Sequence, residues 1–210
     1  MKGIKRLIYV PILHAREDSG RASSILQGNE INNAKRGEIN KELSSVDEMW
    51  KGIAAKIGEL NLPYKETRIY QDGLPACSNE LEIVTRLAES GNPNFLLILD
   101  LMKKRAKLEG TENMDLLMQE YDLLNKLLMK NSDKNRMETI AEYQTKSREL
   151  LTLRDEFIFN RIKSTLQKGE LPIVFMGVMH RLDKMLEKDF LVSYVIYRLP
   201  FRSIETIYNS

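Results

Sequence analysis

The stretch LPIVFMGVMH at residues 171–180 decides the fold class. It is an uncharged apolar run that reaches Gly177 and is followed by His180, and such a run bounded by a turn residue is typical of a strand buried on both faces of a parallel sheet. A second run of this kind, LIYVPIL at residues 7–13, lies at the other end of the chain and precedes His14. We therefore expect strands at residues 5–14 and 171–176, and we expect these two strands to be neighbours in one sheet.

The chain between these two strands is mainly helical in pattern. Apolar residues at helical spacing predict helices at 46–60, 79–90, 94–108, 114–128 and 135–168, while residues 67–70 and 190–197 are predicted strands. Capping-box spacing marks the start of the first helix at residues 45–48, and residues 15–44 are predicted to be a long polar loop. The sequence thus predicts one α/β domain over residues 1–210, whose sheet is built from the N- and C-terminal strands, with a large helical insertion or cap at 78–150.

Composition excludes several classes of protein. The 32 basic and 30 acidic residues give a net charge of +2 and are interspersed, so we expect no nucleic-acid partner. Cys77 is the only cysteine, which rules out an internal disulfide and a cysteine-based zinc cluster. No apolar run approaches the ~20 residues that cross a bilayer, and no signal peptide is recognisable. We expect a cytoplasmic protein without a membrane segment.

Phosphate-loop, dinucleotide, HExxH, CxxC and GxSxG motifs do not occur in the sequence. Nucleotide-dependent enzymes and serine hydrolases are therefore poorly supported.

The two histidines are the first candidates for a functional site. Each follows a predicted strand, and ligands of open α/β sheets bind beyond the carboxyl ends of the strands. His180 precedes a short predicted helix, which favours the neutral imidazole that a metal ligand or general base requires. His14 is followed by Glu17, which could supply an oxygen ligand. The alternative is that each histidine is a hydrogen-bonded structural residue.

Arg154 is the second unusual feature. Leu150, Leu151, Phe157 and Ile158 lie one turn away on the same predicted helix, so the arginine points into an apolar stripe. A buried guanidinium needs an anionic partner, either a carboxylate of the protein or an anionic group of a ligand. Alternatively, its aliphatic stem covers apolar surface while its head reaches solvent.

Residues 154–162, together with the 171–180 stretch, resemble the C-terminal signature of the TraB/Tiki superfamily, to which the erythromycin esterases and ChaN-like proteins are related. In that signature an arginine on a helix precedes a strand that ends in a GxxH motif, and an earlier GxxH motif lies near the N-terminus. GVMH at residues 177–180 matches the second motif in full. PILH at residues 11–14 matches the first motif only at the histidine, because a proline replaces the glycine.

The resemblance implies an α/β fold in which two histidines, a glutamate and the arginine line one pocket. Some members of the superfamily use this pocket for metal-dependent hydrolysis, and others use it to bind a ligand or haem. Glu17, Glu30, Glu109 and Glu112 are the candidates for the glutamate, and Glu109 or Glu112 is preferred.

The leading hypothesis is a divalent-metal-dependent hydrolase that acts on a small-molecule or peptide substrate. His14 and His180 would hold the ion together with a carboxylate such as Glu17, and Arg154 would stabilise the developing oxyanion. Imidazole and carboxylate ligands suit zinc, manganese or iron.

Two other hypotheses remain. In the first, the same pocket binds a small anionic ligand without catalysis, or a porphyrin, although haem is the less favoured ligand. In the second, the apolar stripe at residues 114–128 packs against another subunit, which would make the protein a homo-oligomer.

Overall fold

The computed structural model describes residues 5–12, 33–129 and 136–198, and the side chains of 5–12, 46–127 and 140–198. The five described strands are β1 (Lys5–Ile12), β2 (Thr67–Gln71), β3 (Lys107–Glu109), β4 (Leu171–Gly177) and β5 (Phe190–Tyr194). The six described α-helices are α1 (Asn33–Glu59), α2 (Glu80–Glu89), α3 (Pro93–Lys103), α4 (Met114–Met129), α5 (Arg136–Thr165) and α6 (Leu182–Leu186). Among the described helices, none is long and apolar enough to cross a membrane.

The strands form one parallel sheet in the order β3-β2-β4-β1-β5. The prediction of an α/β fold is confirmed, and so is the prediction that the first strand lies beside the penultimate one, because β1 pairs with β4. Ile12 at the end of β1 lies opposite Gly177 at the end of β4. Since all strands are parallel, their carboxyl ends meet at one edge of the sheet.

Helices cover both faces of the sheet. On one face, α1, α2 and α3 share a core with alternate strand residues, among them Ile69, Ile173 and Phe175. On the other face, α5 and α6 pack against the remaining strand residues, among them Tyr70, Val174 and Met176. The central strand β4 is therefore buried from both sides, which explains its continuous apolar sequence.

Helix α4 packs along α5. Its Met114, Met118 and Tyr121 are exposed on the face that points away from α5. The helical stripe predicted at residues 114–128 is thus confirmed as a helix, whereas the predicted burial of this stripe against another subunit stays a prediction.

The predicted loop at 15–44 was wrong from residue 33 onward, because α1 begins at Asn33. Residues 15–32 lie outside the described part of the chain. The capping-box spacing at 45–48 falls inside α1 and does not mark its start. Residues 33–45 are mostly polar and have no apolar stripe of their own, but they include several strong helix formers. They can therefore extend a helix whose later turns are packed against the core.

The helix predicted at 94–108 was too long. It ends at Lys103, and Arg105 adopts a left-handed backbone conformation with φ of 81°, which a continuing helix does not allow. Residues 107–109 then form β3 at the edge of the sheet beside β2. The region 78–150, predicted as a helical insertion or cap, thus also supplies a strand. A strand of three residues is too short for its period to be recognised in the sequence. The last predicted strand likewise ends earlier, at Tyr194 instead of residue 197.

Candidate functional site

Three buried side chains converge at the carboxyl edge of the sheet. Asp72 directly follows β2, Glu112 lies three residues after β3, and His180 lies three residues after β4. Their exposed fractions are 3%, 0% and 9%. Each offers one ligand atom, and these atoms all lie within 4.8 Å of one another, so that the group could hold a metal ion.

Backbone hydrogen bonds fix the Asp72 carboxylate and the main chain at Glu112. The Gly177 N–H donates to Asp72 Oδ2 at 2.9 Å, which ties the residue after β2 to the end of β4. The Glu112 N–H donates to the carbonyl of Leu74 at 3.0 Å, and the Glu112 carbonyl accepts from Ala76 at 2.9 Å. The loops after β2 and β3 therefore hold each other in register beyond the last strand residues.

Arg154 of α5 joins the carboxylates into one network. Its Nη2 donates to Asp72 Oδ1 at 2.8 Å and to Glu112 Oε1 at 2.6 Å, and its Nε donates to Glu112 Oε2 at 3.1 Å. Its Nη1 reaches Glu120 on α4, the only one of the three partners with substantial exposure, at 34% of its side chain. The predicted anionic partner of Arg154 is thus a set of protein carboxylates. The alternative of a solvent-exposed head is wrong, because the residue is 6% exposed.

His180 is held by Asp155, a carboxylate of α5. Its Nδ1 lies 2.7 Å from Asp155 Oδ1, and its Nε2 lies 3.4 Å from Asp72 Oδ1. Asp155 also accepts from the Arg181 N–H at 2.9 Å. Burial by itself lowers the pKa of His180, but the hydrogen bonds to Asp155 and Asp72 outweigh it and raise the pKa to about 9. The ring is therefore an imidazolium at neutral pH in the metal-free site, which differs from the neutral ring expected from its place before a helix.

The cluster carries more carboxylates than cations. Burial raises the pKa of Glu112, and the bonds from Arg154 only partly oppose this rise. The pKa of Arg154 is raised as well, because Glu112, Asp72 and Glu120 outweigh its desolvation. Two cationic groups, Arg154 and His180, thus face four carboxyl groups, those of Asp72, Glu112, Glu120 and Asp155. An excess of carboxyl groups favours a cation over an anion as a ligand.

The structure brings together three of the predicted site residues, namely Arg154, Glu112 and His180. It places Glu109 elsewhere: this side chain pairs with Arg68 and, at 3.2 Å, with Arg161. His14, Glu17 and Glu30 lie outside the described residues, so their predicted part in the site stays a prediction.

Asp72, Asp155 and Glu120 belong to the cluster but were not among the site residues predicted from the sequence. Asp72 carried a usable signal, since it lies two residues after the strand predicted at 67–70, and a position just beyond a predicted strand had also pointed to the histidines. Asp155 adjoins Arg154 in the stretch that resembles the TraB/Tiki signature. Nothing in the sequence distinguishes Glu120 from the other acidic residues of α4.

The fold and the site define an α/β protein with a buried cluster of carboxylates, one histidine and one arginine at the carboxyl edge of a parallel sheet. Comparison of the chain with protein-family models, with curated proteins and with solved structures found no match. The resemblance to the TraB/Tiki superfamily therefore stays a prediction, and the function is inferred from the geometry of the site.

Proposed function

We propose that the protein binds a divalent metal ion at Asp72, Glu112 and His180 and that it is a metal-dependent hydrolase. The observation that carries this proposal is the double contact of His180, whose Nδ1 lies 2.7 Å from Asp155 while its Nε2 faces Asp72. A histidine that ligates a metal through one nitrogen characteristically donates its other N–H to a carboxylate, which fixes the orientation and tautomer of the ring.

The size and charge of the cluster support a cation. Neighbouring ligands of one tetrahedral ion lie about 3.4 Å apart, because metal to nitrogen and metal to oxygen bonds are about 2.1 Å long. The ligand atoms of Asp72, Glu112 and His180 lie within 4.8 Å of one another, so a contraction of up to about 1.4 Å would bring them onto one ion. One imidazole and two carboxylates suit zinc, manganese or iron, and three protein ligands leave room for a water.

Each side chain has a separate part in the proposed chemistry. Asp72, Glu112 and His180 would hold the ion, which would supply an acidified water for the hydrolysis of an ester or amide bond. Asp155 orients His180, and Arg154 holds Asp72 and Glu112 by charge-assisted bonds. Because the hydrogen bonds of Arg154 go to carboxylates of the protein, we propose that it positions the metal ligands. The sequence had instead led us to expect that it stabilises the oxyanion of the substrate.

The same observations disfavour a non-catalytic binder of an anion or a porphyrin. The guanidinium that was expected to meet a ligand carboxylate already makes four hydrogen bonds to three protein carboxylates. An anion would also enter a cluster with an excess of carboxyl groups. A Soret band in the purified protein would nevertheless reverse this preference in favour of the porphyrin.

Metal binding is tested on the full-length protein after treatment with a chelator. Calorimetric titration with Zn²⁺, Mn²⁺ and Fe²⁺ is expected to show one ion per wild-type chain, with affinity at least tenfold weaker in Asp72→Asn and His180→Gln. Glu170→Gln is the matched control, because Glu170 is also a buried partner of an arginine but lies in a different cluster. Negligible and equal binding by all four proteins would contradict the metal site.

Hydrolysis is tested separately on the protein loaded with the metal that binds best. Ester and peptide libraries are expected to yield a substrate whose cleavage stops with a chelator and returns when the ion is restored. Tight metal binding without any cleavage would retain the metal site and remove the hydrolase assignment.

A further inference from the structure

Two arginines of α5 bind the same short segment of the chain, residues 109–112. Arg154 and Arg161 are seven residues apart, so they lie two turns apart on one face of the helix. Arg154 binds the Glu112 carboxylate at one end of the segment 109–112. Arg161 binds the other end, where its Nε donates to the Gly110 carbonyl at 3.1 Å and its Nη2 donates to Glu109 Oε2 at 3.2 Å.

The opposite side of this segment is fixed by the end of β2 and the loop that follows. The Gln71 N–H donates to Thr111 Oγ1 at 2.9 Å, and the Thr111 N–H donates to the Leu74 carbonyl at 2.8 Å. At Gly110 the contact is so close that an added Cβ would lie 2.5 Å from Ala76 Cα and 2.7 Å from the Pro75 carbonyl oxygen. The segment 109–112 thus lies between the main chain of residues 71–76 on one side and the two arginines on the other.

We infer that Arg161 is a positioning residue of the proposed metal site. It fixes the Gly110 carbonyl, which lies two residues before Glu112, and so sets where the Glu112 carboxylate enters the cluster. The inference rests on the proposed function, since it treats Glu112 as a metal ligand. Arg161 acts through the backbone, whereas Arg154 contacts the carboxylate itself.

Arg68 provides a matched comparison. Like Arg161, it pairs with Glu109, and it also binds Glu170 through Nε and Nη2. Within the described residues its side-chain hydrogen bonds go to these two carboxylates and not to Gly110. Loss of either arginine therefore removes an ion pair of Glu109, but only loss of Arg161 also removes a hydrogen bond to the backbone two residues before Glu112.

The test is titration of the metal-free, full-length protein with Co²⁺, whose visible absorption reports the geometry of its ligands. We expect Arg161→Met to weaken Co²⁺ binding tenfold or more and to change the visible spectrum, as substitutions behind a ligand commonly do. Arg68→Met is expected to keep the wild-type spectrum and an affinity within threefold. Arg161→Lys, which keeps the charge and one donor, is expected to lie between wild type and Arg161→Met, and it carries the test if Arg161→Met does not fold.

The outcomes separate the two proposals. Wild-type binding with equal affinities and spectra in the Arg161 and Arg68 variants would overturn the positioning role and leave the metal site intact. Equal losses in both variants would also overturn it, because the effect would then belong to the Glu109 ion pair. Failure of the wild-type protein to bind Co²⁺, Zn²⁺, Mn²⁺ and Fe²⁺ would overturn the metal site and the positioning role together.

Discussion

Arg154 shows how a single residue can organise a site. A guanidinium presents donors in a planar fork, so one arginine can meet Asp72, Glu112 and Glu120 at the same time. The carboxylates would otherwise be buried like charges, which repel each other strongly where water is excluded. Lysine would supply the charge without the fork, so we regard Arg154 as irreplaceable by lysine in this cluster.

The ion pair between Glu170 and Arg68 is expected to make the stability of the protein depend on pH. The Arg68 guanidinium lowers the pKa of Glu170 from its usual 4.5 to about 2. A group whose pKa is lowered by folding stabilises the fold above its unfolded pKa, and this contribution disappears as the pH falls through the folded pKa. We expect Glu170→Gln to lower the free energy of unfolding by about 2 kcal/mol at pH 7, which is less than the change in pKa alone would give because solvent screens part of the interaction. The loss should become progressively smaller between pH 4.5 and 2 in urea unfolding experiments.

The control for this prediction is Glu82→Gln, which removes an exposed ion pair with Arg86. Exposed pairs contribute little, so a change below about 0.5 kcal/mol is expected. A loss in Glu170→Gln that is the same at pH 7 and at pH 2 would show that the ionised carboxylate is not the source of the stability.

At the scale of elements, α1 depends on a glycine for its contact with the chain after β5. A Cβ added at Gly52 would lie 2.1 Å from Tyr197 Cδ2 and 2.4 Å from its Cγ. The ring of Tyr197, which packs against the core beneath α1, thus occupies the space that a side chain at position 52 would need. Gly58, in the last turn of the same helix, has no atom within 4 Å of an added Cβ.

Substitution by alanine is expected to change the stability of the protein in opposite directions at these two glycines. Gly58→Ala is expected to stabilise the protein by up to about 1 kcal/mol, because alanine is the better helix former. Gly52→Ala is expected to destabilise it by about 1–2 kcal/mol, because Tyr197 must move. Thermal or urea unfolding measures both, and in Gly52→Ala/Tyr197→Ala the two costs should not add. Equal stabilisation by the two single substitutions would contradict the close contact.

At the scale of the whole molecule, the sheet brings opposite ends of the chain together. Because β1 lies beside β4, Ile12 is opposite Gly177, and the Val178 N–H donates to the Ile12 carbonyl at 3.1 Å. The loops after β1 and β4 therefore start from adjacent points on the edge that carries the proposed metal site. His14 follows only two residues after Ile12 in the sequence.

We therefore retain the prediction that His14 contributes to the metal site, as a fourth protein ligand of an ion whose coordination number of five or six still leaves room for a water. His14→Ala is expected to weaken metal binding at least tenfold, because it would remove a nitrogen ligand, and calorimetric titration with the best-bound metal measures the loss. Glu142→Gln, which changes an exposed carboxylate of α5, is the control and should bind as wild type does. Wild-type affinity in His14→Ala would show that the histidines from the two ends of the chain do not share an ion.

The sequence by itself determined the features that depend on local pattern. Buried strands at both ends and the long helix that carries Arg154 were predictable, because apolar runs and apolar periodicity are properties of short segments. The polar first turns of α1 and the three-residue strand β3 were not predictable, since neither has a periodic apolar face.

Only the tertiary structure decided which carboxylates form the site. Glu109 and Glu112 are three residues apart and equivalent in sequence, yet Glu109 meets Arg68 and Arg161 while Glu112 meets Arg154. Asp72 reaches the same cluster from a different strand, across a sheet whose order no local pattern specifies. The physical reason is that burial and charge pairing between distant segments depend on which elements pack together, and that is settled only when the whole core forms.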